Sequence, residues 1–248
     1  MPDKMNEKGI IYPVKAKGDP HIGPDAIMAI INSDLKYLTE ISNARKLSFS
    51  EMDLYSLFSV PDGQGRGVTV AGPFLGAPHA VMGLEKLVVS GAERIWVLGW
   101  CGSLQPHIHT GHIIVPASAV SEEGTSPHYP IPGRAIESDG ELNEALENEL
   151  TGQGLSFSKG AVWTTDAVYR ETPAKVKAYQ EKGLLAVEME ISALMTVAIY
   201  RSVSLAGLLV VSDELYDLRW KRGFSSRELK RASRKACEVL LNIAGSCV

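Results

Sequence analysis

Short runs of consecutive apolar residues, rich in β-branched side chains, recur along the chain. Continuous runs of this kind are typical of strands that are covered on both faces of a sheet, whereas half-exposed strands alternate apolar and polar residues. The pattern therefore predicts a buried, mostly parallel sheet. Its strands lie at residues 68–71, 95–98, 113–115, 161–163 and 205–211.

Between these runs, apolar residues recur at the three- and four-residue spacing of an amphipathic helix. The last helix begins with Ser225-Ser226-Arg227-Glu228, which has the spacing of a capping box, and is followed by Gly245. Strands that alternate with helices predict an α/β fold whose ligands bind beyond the carboxyl ends of the strands. The predicted helices span residues 78–90, 139–151, 173–182, 187–201 and 225–244.

Length, charge and cysteine content narrow the class of protein. The 248 residues predict one domain over residues 1–248, and the net charge of −4 does not favour binding to nucleic acid. No apolar stretch approaches the roughly 20 residues needed to cross a bilayer, and the N-terminus lacks the apolar core of a signal peptide. Cys101, Cys237 and Cys247 show no zinc-ligand spacing, so we expect no metal and a cytoplasmic location.

Two glycines three residues apart follow the strand predicted at residues 95–98, in Gly99-Trp100-Cys101-Gly102-Ser103. Such a pair predicts a sharp turn whose N–H groups approach a ligand, often an anion or a sugar. An ordinary turn at the end of a strand explains the same pattern.

A second segment, at residues 187–195, places carboxylates within an apolar helical stripe. On a helix, Glu190 lies among buried positions and Glu188 lies toward their edge. A buried carboxylate needs a partner, so Glu190 is expected to contact a ligand, to pair with an internal Lys or Arg, or to be protonated.

A third segment, Ser212-Asp213-Glu214, ends the most apolar strand of the chain. An acid at this position is suited to proton transfer, because partial desolvation moves its pKa toward the working pH. Asp213 is equally compatible with a turn or with the N-cap of a helix.

These segments, in this order and with several others, resemble the nucleoside phosphorylase family, which contains the hexameric purine nucleoside phosphorylases and the uridine phosphorylases. The resemblance spans nearly the whole chain. It rests on Gly18-Asp19-Pro20, Gly76-Ala77-Pro78, Gly99-Trp100-Cys101-Gly102, Gln105-Pro106-His107-Ile108, Gly111, Glu123-Gly124-Thr125-Ser126, Thr165-Asp166-Ala167-Val168-Tyr169, Val187-Glu188-Met189-Glu190 and Ser212-Asp213.

The resemblance implies a three-layer α/β/α sandwich with a mixed, barrel-like central sheet. It also implies a homodimer or homohexamer whose active sites are shared across subunits. The expected activity is that of a pentosyltransferase, which splits a nucleoside with inorganic phosphate at C1′ to give a free base and ribose 1-phosphate. No metal or organic cofactor is expected.

The resemblance assigns roles to individual residues. Asp213 is expected to protonate a purine base, and Glu190 to bind the ribose hydroxyls. The nucleoside-binding set is Glu190, Met189, Glu188, Cys101, Gly102, Tyr169 and Val168. The phosphate-binding set is Gly18, Arg45, Gly99 and Trp100, where Arg45 matches an arginine that reaches phosphate from the neighbouring subunit.

The choice of base rests on two sets of residues. Uridine phosphorylases read uracil with a pattern of Gln and Arg that residues 165–173 do not show, which together with Asp213 favours a purine. In contrast, Gln105-Pro106-His107-Ile108 and residues 123–129 are more similar to the uridine branch.

The phosphate site departs from the family pattern. Family arginines are replaced by Ile22 and Val97, and a small hydroxyl residue is replaced by Trp100, whose indole offers a single N–H. Other cationic residues are candidates to bind phosphate instead, although a solvated surface position explains each of them as well. They are His21, His79, Arg66, Arg170, Lys221 and Arg222.

Three functions are compatible with this pattern. The first is a phosphorylase with a rearranged anion site. The second is a nucleoside hydrolase in which Asp19, Asp25 or Glu51 activates water. The third is a binding protein without turnover, which Asp213 disfavours because a binder needs no acid at the base.

Overall fold

The computed structural model describes residues 9–48, 54–61 and 67–246. The strands are β1 (Asp25–Ala29), β2 (Arg45–Leu47), β3 (Ser56–Ser59), β4 (Thr69–Gly72), β5 (Arg94–Ser103), β6 (Ile113–Glu122), β7 (Phe157–Thr165), β8 (Ala186–Glu188), β9 (Ser204–Glu214) and β10 (Lys221–Arg222). The helices are α1 (Asn32–Ile41), α2 (Ala77–Ser90), α3 (Gly140–Gly152), α4 (Pro173–Glu181), α5 (Ile191–Arg201) and α6 (Arg227–Ile243). Short 3₁₀ helices span Ser126–His128 and Val168–Arg170.

The sheet is mixed and closes on itself. The strand order is β10-β9-β6-β7-β8-β5-β1-β4-β3-β2, and a further pairing joins β9 to β5. Strands β9, β6, β7, β8 and β5 therefore form a closed ring, from which β1, β4, β3 and β2 extend. The ring combines parallel pairs, such as β5 with β9, and antiparallel pairs, such as β5 with β8. The expectation of a barrel-like central sheet is confirmed.

Helices cover both faces of the sheet. Along β5, Ile95 and Val97 pack with α2 and α5, while Trp96 and Leu98 pack with α1, α3 and α6. Because successive side chains of a strand point to opposite faces, a strand between two helical layers must be apolar at every position. This explains the continuous apolar runs and confirms the three-layer sandwich.

Most predicted segments coincide with observed elements, but three predictions at element ends are wrong. Residues 187–190 do not form a helix, because Ala186–Glu188 is strand β8 and α5 begins at Ile191. Gly99 to Ser103 do not form a turn but continue β5. The cap of α6 is Ser226, whose hydroxyl accepts the N–H of Leu229 at 3.0 Å, and not Ser225. Among the helices described here, none is long and apolar enough to span a membrane.

Candidate active site

A cavity of about 330 Å³ opens at the carboxyl end of β9 and is bordered by β5, β8 and the start of α5. Four carboxyl groups line it, those of Glu171, Glu188, Glu190 and Asp213. Five aromatic side chains also line it, those of Phe74, Trp100, Tyr169, Trp220 and Phe224. Of the residues that the structure describes, no Lys, Arg or His lines this wall. The cavity is therefore aromatic and acidic.

The structure brings all seven predicted nucleoside-binding residues, and Asp213, to this cavity. Its lining includes Cys101, Gly102, Val168, Tyr169, Glu188, Met189, Glu190 and Asp213, together with Trp100 from the predicted phosphate set. Gly18, Arg45 and Gly99 are not part of its lining.

The two glycines of β5 serve close packing within the sheet. The pairing of β5 with β9 shifts register between Cys101 and Gly102, which marks an irregularity beside the cavity. A Cβ on Gly102 would lie 2.5 Å from Leu215 Cδ1 and 3.3 Å from Asp213 Oδ2. A Cβ on Gly99 would lie 3.2 Å from Leu209 Cδ2. Absence of a side chain at Gly102 thus lets the end of β9, with Asp213, approach β5.

Glu190 is buried at the N-terminal end of α5, with 5% of its surface exposed. Its Oε1 accepts the N–H of Gly76, at the start of α2, at 2.6 Å. Burial raises the pKa of this carboxyl, and the charge of Glu188 raises it further. No internal Lys or Arg neutralises it in the described structure, so the alternative of an internal ion pair is wrong.

Glu188 is equally buried, contrary to the expectation that it lies toward the edge of a helical stripe. One carboxyl oxygen accepts the hydroxyl of Thr164, and the other accepts the N–H groups of Glu190 and Ile191 at 2.6 and 2.7 Å. Burial raises the pKa of Glu188. These bonds satisfy the first N–H groups of α5, so Glu188 positions Glu190 at the cavity.

Asp213 lies near the end of β9, where two neighbours hold its carboxylate. The hydroxyl of Ser212 donates to Oδ1 at 2.7 Å, and the indole N–H of Trp220 donates to Oδ2 at 2.8 Å. Asp213 is neither an N-cap nor a turn residue, because β9 continues to Glu214 and Arg222 of β10 pairs opposite it. Its carboxyl group instead lines the cavity.

Aromatic side chains form the rim of the cavity. Tyr169 is 92% exposed, and Trp220 is 56% exposed with its ring edge against Phe224 at 6.1 Å. Trp220 and Phe224 were not identified from the sequence, since they lie on an irregular segment without hydrophobic periodicity. Exposed flat rings at the mouth of a cavity are suited to stacking on a planar base.

The predicted phosphate glycine lies away from the cavity. Gly18-Asp19-Pro20 precedes β1, and Asp19 forms an ion pair of 3.0 Å with Lys86 in the last part of α2. The residues that follow β1 and line the cavity are Ile30 and Ile31. An apolar pair occupies this wall of the cavity, so the structure does not bring Gly18 into a phosphate site.

Trp100 donates its only N–H within the protein. Its Nε1 lies 2.9 Å from Asp34 Oδ2 and 3.3 Å from Ser233 Oγ, and its ring stacks on Phe224 at 6.4 Å. Burial raises the pKa of Asp34, which also accepts the hydroxyl of Ser233 at 2.6 Å. With its N–H donated to Asp34, Trp100 has none left for phosphate and instead forms an apolar wall.

The remaining candidate cations lie elsewhere. Arg45 is exposed on β2, at the end of the sheet. His79 accepts the N–H of Leu75 through Nδ1 at 3.2 Å, and neither it nor His21, Arg170, Lys221 or Arg222 lines the cavity. Arg66, Glu51 and Cys247 lie outside the described residues.

The carboxylates expected to activate water are also distant from the cavity or engaged elsewhere. Asp25 lies at the start of β1, where it pairs with Arg94 at 2.6 Å and accepts the indole N–H of Trp96 at 3.0 Å. Asp19 pairs with Lys86. Neither lines the cavity, so the structure gives these two residues no role in hydrolysis.

The structure shows neither a reactive thiol at Cys101 nor a metal site among the described residues. Cys101 is buried, and burial raises its pKa well above the ordinary value, which disfavours a nucleophilic thiolate. Across residues 9–48, 54–61 and 67–246, no three His, Cys, Asp or Glu side chains come together as a metal site.

Comparison with known proteins agrees with this architecture. A family model described as the phosphorylase superfamily matches residues 24–245. A purine nucleoside phosphorylase of the DeoD type from Bacillus cytotoxicus is 30% identical over 156 residues, which cover 62% of this chain and 66% of that protein. The uridine phosphorylase of Vibrio fischeri matches in structure with a TM-score of 0.80 at 24% identity, over 91% of this chain and 93% of that one.

A second solved structure has the same fold at lower identity. The purine nucleoside phosphorylase of Toxoplasma gondii, solved in complex with immucillin-H, matches with a TM-score of 0.83 at 20% identity, over 97% of this chain and 98% of that one. The relatives named here are phosphorylases, and they lend no support to a hydrolase. The chain belongs to the phosphorylase superfamily, together with purine nucleoside and uridine phosphorylases.

Proposed function

We propose that this protein cleaves the N-glycosidic bond of a purine nucleoside and transfers the ribose to inorganic phosphate. The observation that carries the proposal is the presence of two carboxyls, Asp213 and Glu190, on the wall of one aromatic cavity. The relative from Bacillus cytotoxicus is a purine nucleoside phosphorylase, which supports the same activity.

Cleavage of the bond between C1′ and the base places positive charge on the sugar and negative charge on the base. Asp213 gives a proton to the base as the electron pair of the bond moves onto it, which makes the base a neutral leaving group. This role favours a purine, whose N7 accepts the proton. Glu190 accepts hydrogen bonds from the ribose hydroxyls, and in its ionised form its negative charge stabilises the developing oxocarbenium ion.

The described residues of one subunit supply no cation to a phosphate subsite in this cavity. Phosphate needs charge-assisted hydrogen bonds, and the described wall offers Ile30, Ile31 and Trp100 in place of cations. We therefore assign phosphate contact to Arg45 of a second copy, because Arg45 is exposed on the outer strand β2. The active form is then a homo-oligomer, and its weak anion site predicts a high KM for phosphate.

The test is release of free base from a panel of purine and pyrimidine nucleosides, with and without phosphate. Ribose 1-phosphate and free ribose are quantified separately. The proposal expects purine release that depends on phosphate and forms ribose 1-phosphate in equal amount. Free ribose formed at the same rate without phosphate would assign hydrolysis. Binding without release from any nucleoside would assign a sensor.

A further inference from the structure

Glu171 is a carboxyl group in the cavity to which the sequence assigned no role. It lies between the 3₁₀ helix Val168–Arg170 and Thr172, the N-cap of α4. The local conformation leaves it partly buried, on the same cavity wall as Asp213 and Trp220. Both carboxyls line this one cavity, and Asp213 is close enough for its negative charge to raise the pKa of Glu171.

The Glu171 carboxyl has no partner within the protein as described here. Over residues 9–48, 54–61 and 67–246, no hydrogen bond or ion pair engages it. Asp213, in contrast, is held by Ser212 and Trp220. A partly buried carboxyl is costly without a donor, and at the wall of a cavity a ligand can supply that donor.

The cavity is rich in acceptors and poor in donors. No Asn, Gln, Lys, Arg or His of the described chain lines it. The side-chain donors that do line it are mostly occupied, since Trp100 donates to Asp34, Trp220 to Asp213 and Ser212 to Asp213. A ligand that brings its own N–H groups fits this wall better than one that brings carbonyl oxygens.

The two neighbouring carboxyls match one edge of a purine in particular. Adenine presents the N7 acceptor beside the N6 amino donor, whereas guanine presents N7 beside the O6 acceptor. With Asp213 at N7, and at a pH above the Glu171 pKa of about 7, the ionised Glu171 accepts a hydrogen bond from a 6-amino group and repels a 6-oxo group. We propose that Glu171 is a specificity-determining residue that selects 6-aminopurine over 6-oxopurine nucleosides, an inference that rests on the proposed function.

The experiment compares kcat/KM for adenosine and inosine in the wild type, Glu171→Leu and Glu171→Gln, at a pH above the Glu171 pKa of about 7, where this carboxyl is ionised. We expect the wild type to prefer adenosine by about 10- to 100-fold, the usual discrimination of one well-placed base contact. Glu171→Leu should lower kcat/KM for adenosine by a similar factor and leave inosine within about threefold. Glu171→Gln, whose amide also donates to O6, should raise kcat/KM for inosine. Glu181→Gln, at the exposed end of α4, is the matched control.

The outcomes separate this inference from the proposed function. A wild type that cleaves purine nucleosides without preferring adenosine, or a Glu171→Leu variant that loses both activities equally, overturns the inference alone. If no nucleoside is cleaved, both the inference and the proposed function are wrong. If Glu171→Leu does not fold, inhibition of the wild type decides: adenine must inhibit at least tenfold more strongly than hypoxanthine, and equal inhibition refutes the assignment.

Discussion

Replacing Asp213 by Asn removes the group that we propose protonates the base, and it changes little else. The amide has the size and shape of the carboxyl, and its carbonyl oxygen can still accept the indole N–H of Trp220, now 2.8 Å from Oδ2. The Ser212 hydroxyl, which donates to Oδ1, also lies 3.2 Å from the carbonyl oxygen of Cys101 and can turn to it. One hydrogen bond is therefore redirected, and the two original donors, Ser212 and Trp220, each keep an acceptor.

The effect on catalysis should greatly exceed the effect on stability. Loss of a general acid slows a reaction by about 10²- to 10⁴-fold, which corresponds to roughly 3–5 kcal/mol of activation free energy. The redirected hydrogen bond costs about 1 kcal/mol or less of unfolding free energy, which lowers Tm by about 2–4 °C in a chain of this size.

The assay uses two substrates that differ in their need for an acid. With adenosine, kcat should fall by the full factor in Asp213→Asn. With 4-nitrophenyl β-D-ribofuranoside, whose leaving group departs as a stable anion, kcat should fall less than about fivefold, because no proton is needed. Glu144→Gln, an exposed carboxyl-to-amide change on α3, controls for the change in charge.

Two results would refute the reasoning. One is a kcat for adenosine that stays within threefold of the wild type, since Asp213 would then not be the proton donor. The other is an equal loss with both substrates, which would make Asp213 a structural or binding residue instead.

Three further predictions follow from the geometry. Glu190→Gln should lower kcat/KM for nucleosides by about 10- to 100-fold, because hydrogen bonds to a charged acceptor contribute about 1.5–3 kcal/mol. Binding of free adenine, measured by calorimetry, should be unchanged. An equal loss of affinity for the free base would contradict the proposed contact with ribose. Gly102→Ala should lower the unfolding free energy by about 1–3 kcal/mol through the clash with Leu215, and Gly140→Ala, whose Cβ meets nothing within 4 Å, should not; urea unfolding compares them. The free energy of unfolding should fall as the pH rises from about 4.5 to 7. Burial, and to a lesser extent the charge of Asp213, raises the pKa of Glu171 from 4.5 to about 7. The folded state therefore holds this proton more tightly than the unfolded state, and this contribution to stability is lost as the pH rises. Glu171→Gln should reduce the dependence of the unfolding free energy on pH, measured by urea titrations at a series of pH values. Part of that dependence should remain, because burial also raises the pKa values of Asp34, Glu188 and Glu190. An unchanged dependence would exclude Glu171 as a contributor.

The sequence by itself determined the layers and the two principal carboxyls. Apolar runs such as residues 205–211 indicate burial on both faces of the sheet, and apolar residues spaced three to four positions apart indicate the helices. These signals are local, because each strand or helix faces one kind of surroundings along its length. The position of Asp213 at the end of an apolar strand is likewise readable from neighbouring residues, as is the apolar setting of Glu190.

Only the tertiary structure decided how the strands close and what the cavity wall offers a ligand. The pairing of β5 with β9 joins segments that are about a hundred residues apart, and it turns Gly99 to Ser103 from an expected turn into a strand. The single N–H of Trp100 is donated to Asp34, 66 residues earlier in the chain. Glu171 lines the same cavity as Asp213 without any pattern in the sequence that links them. Contacts between distant residues leave no local periodicity, so the composition of the cavity wall emerges only when the chain is folded.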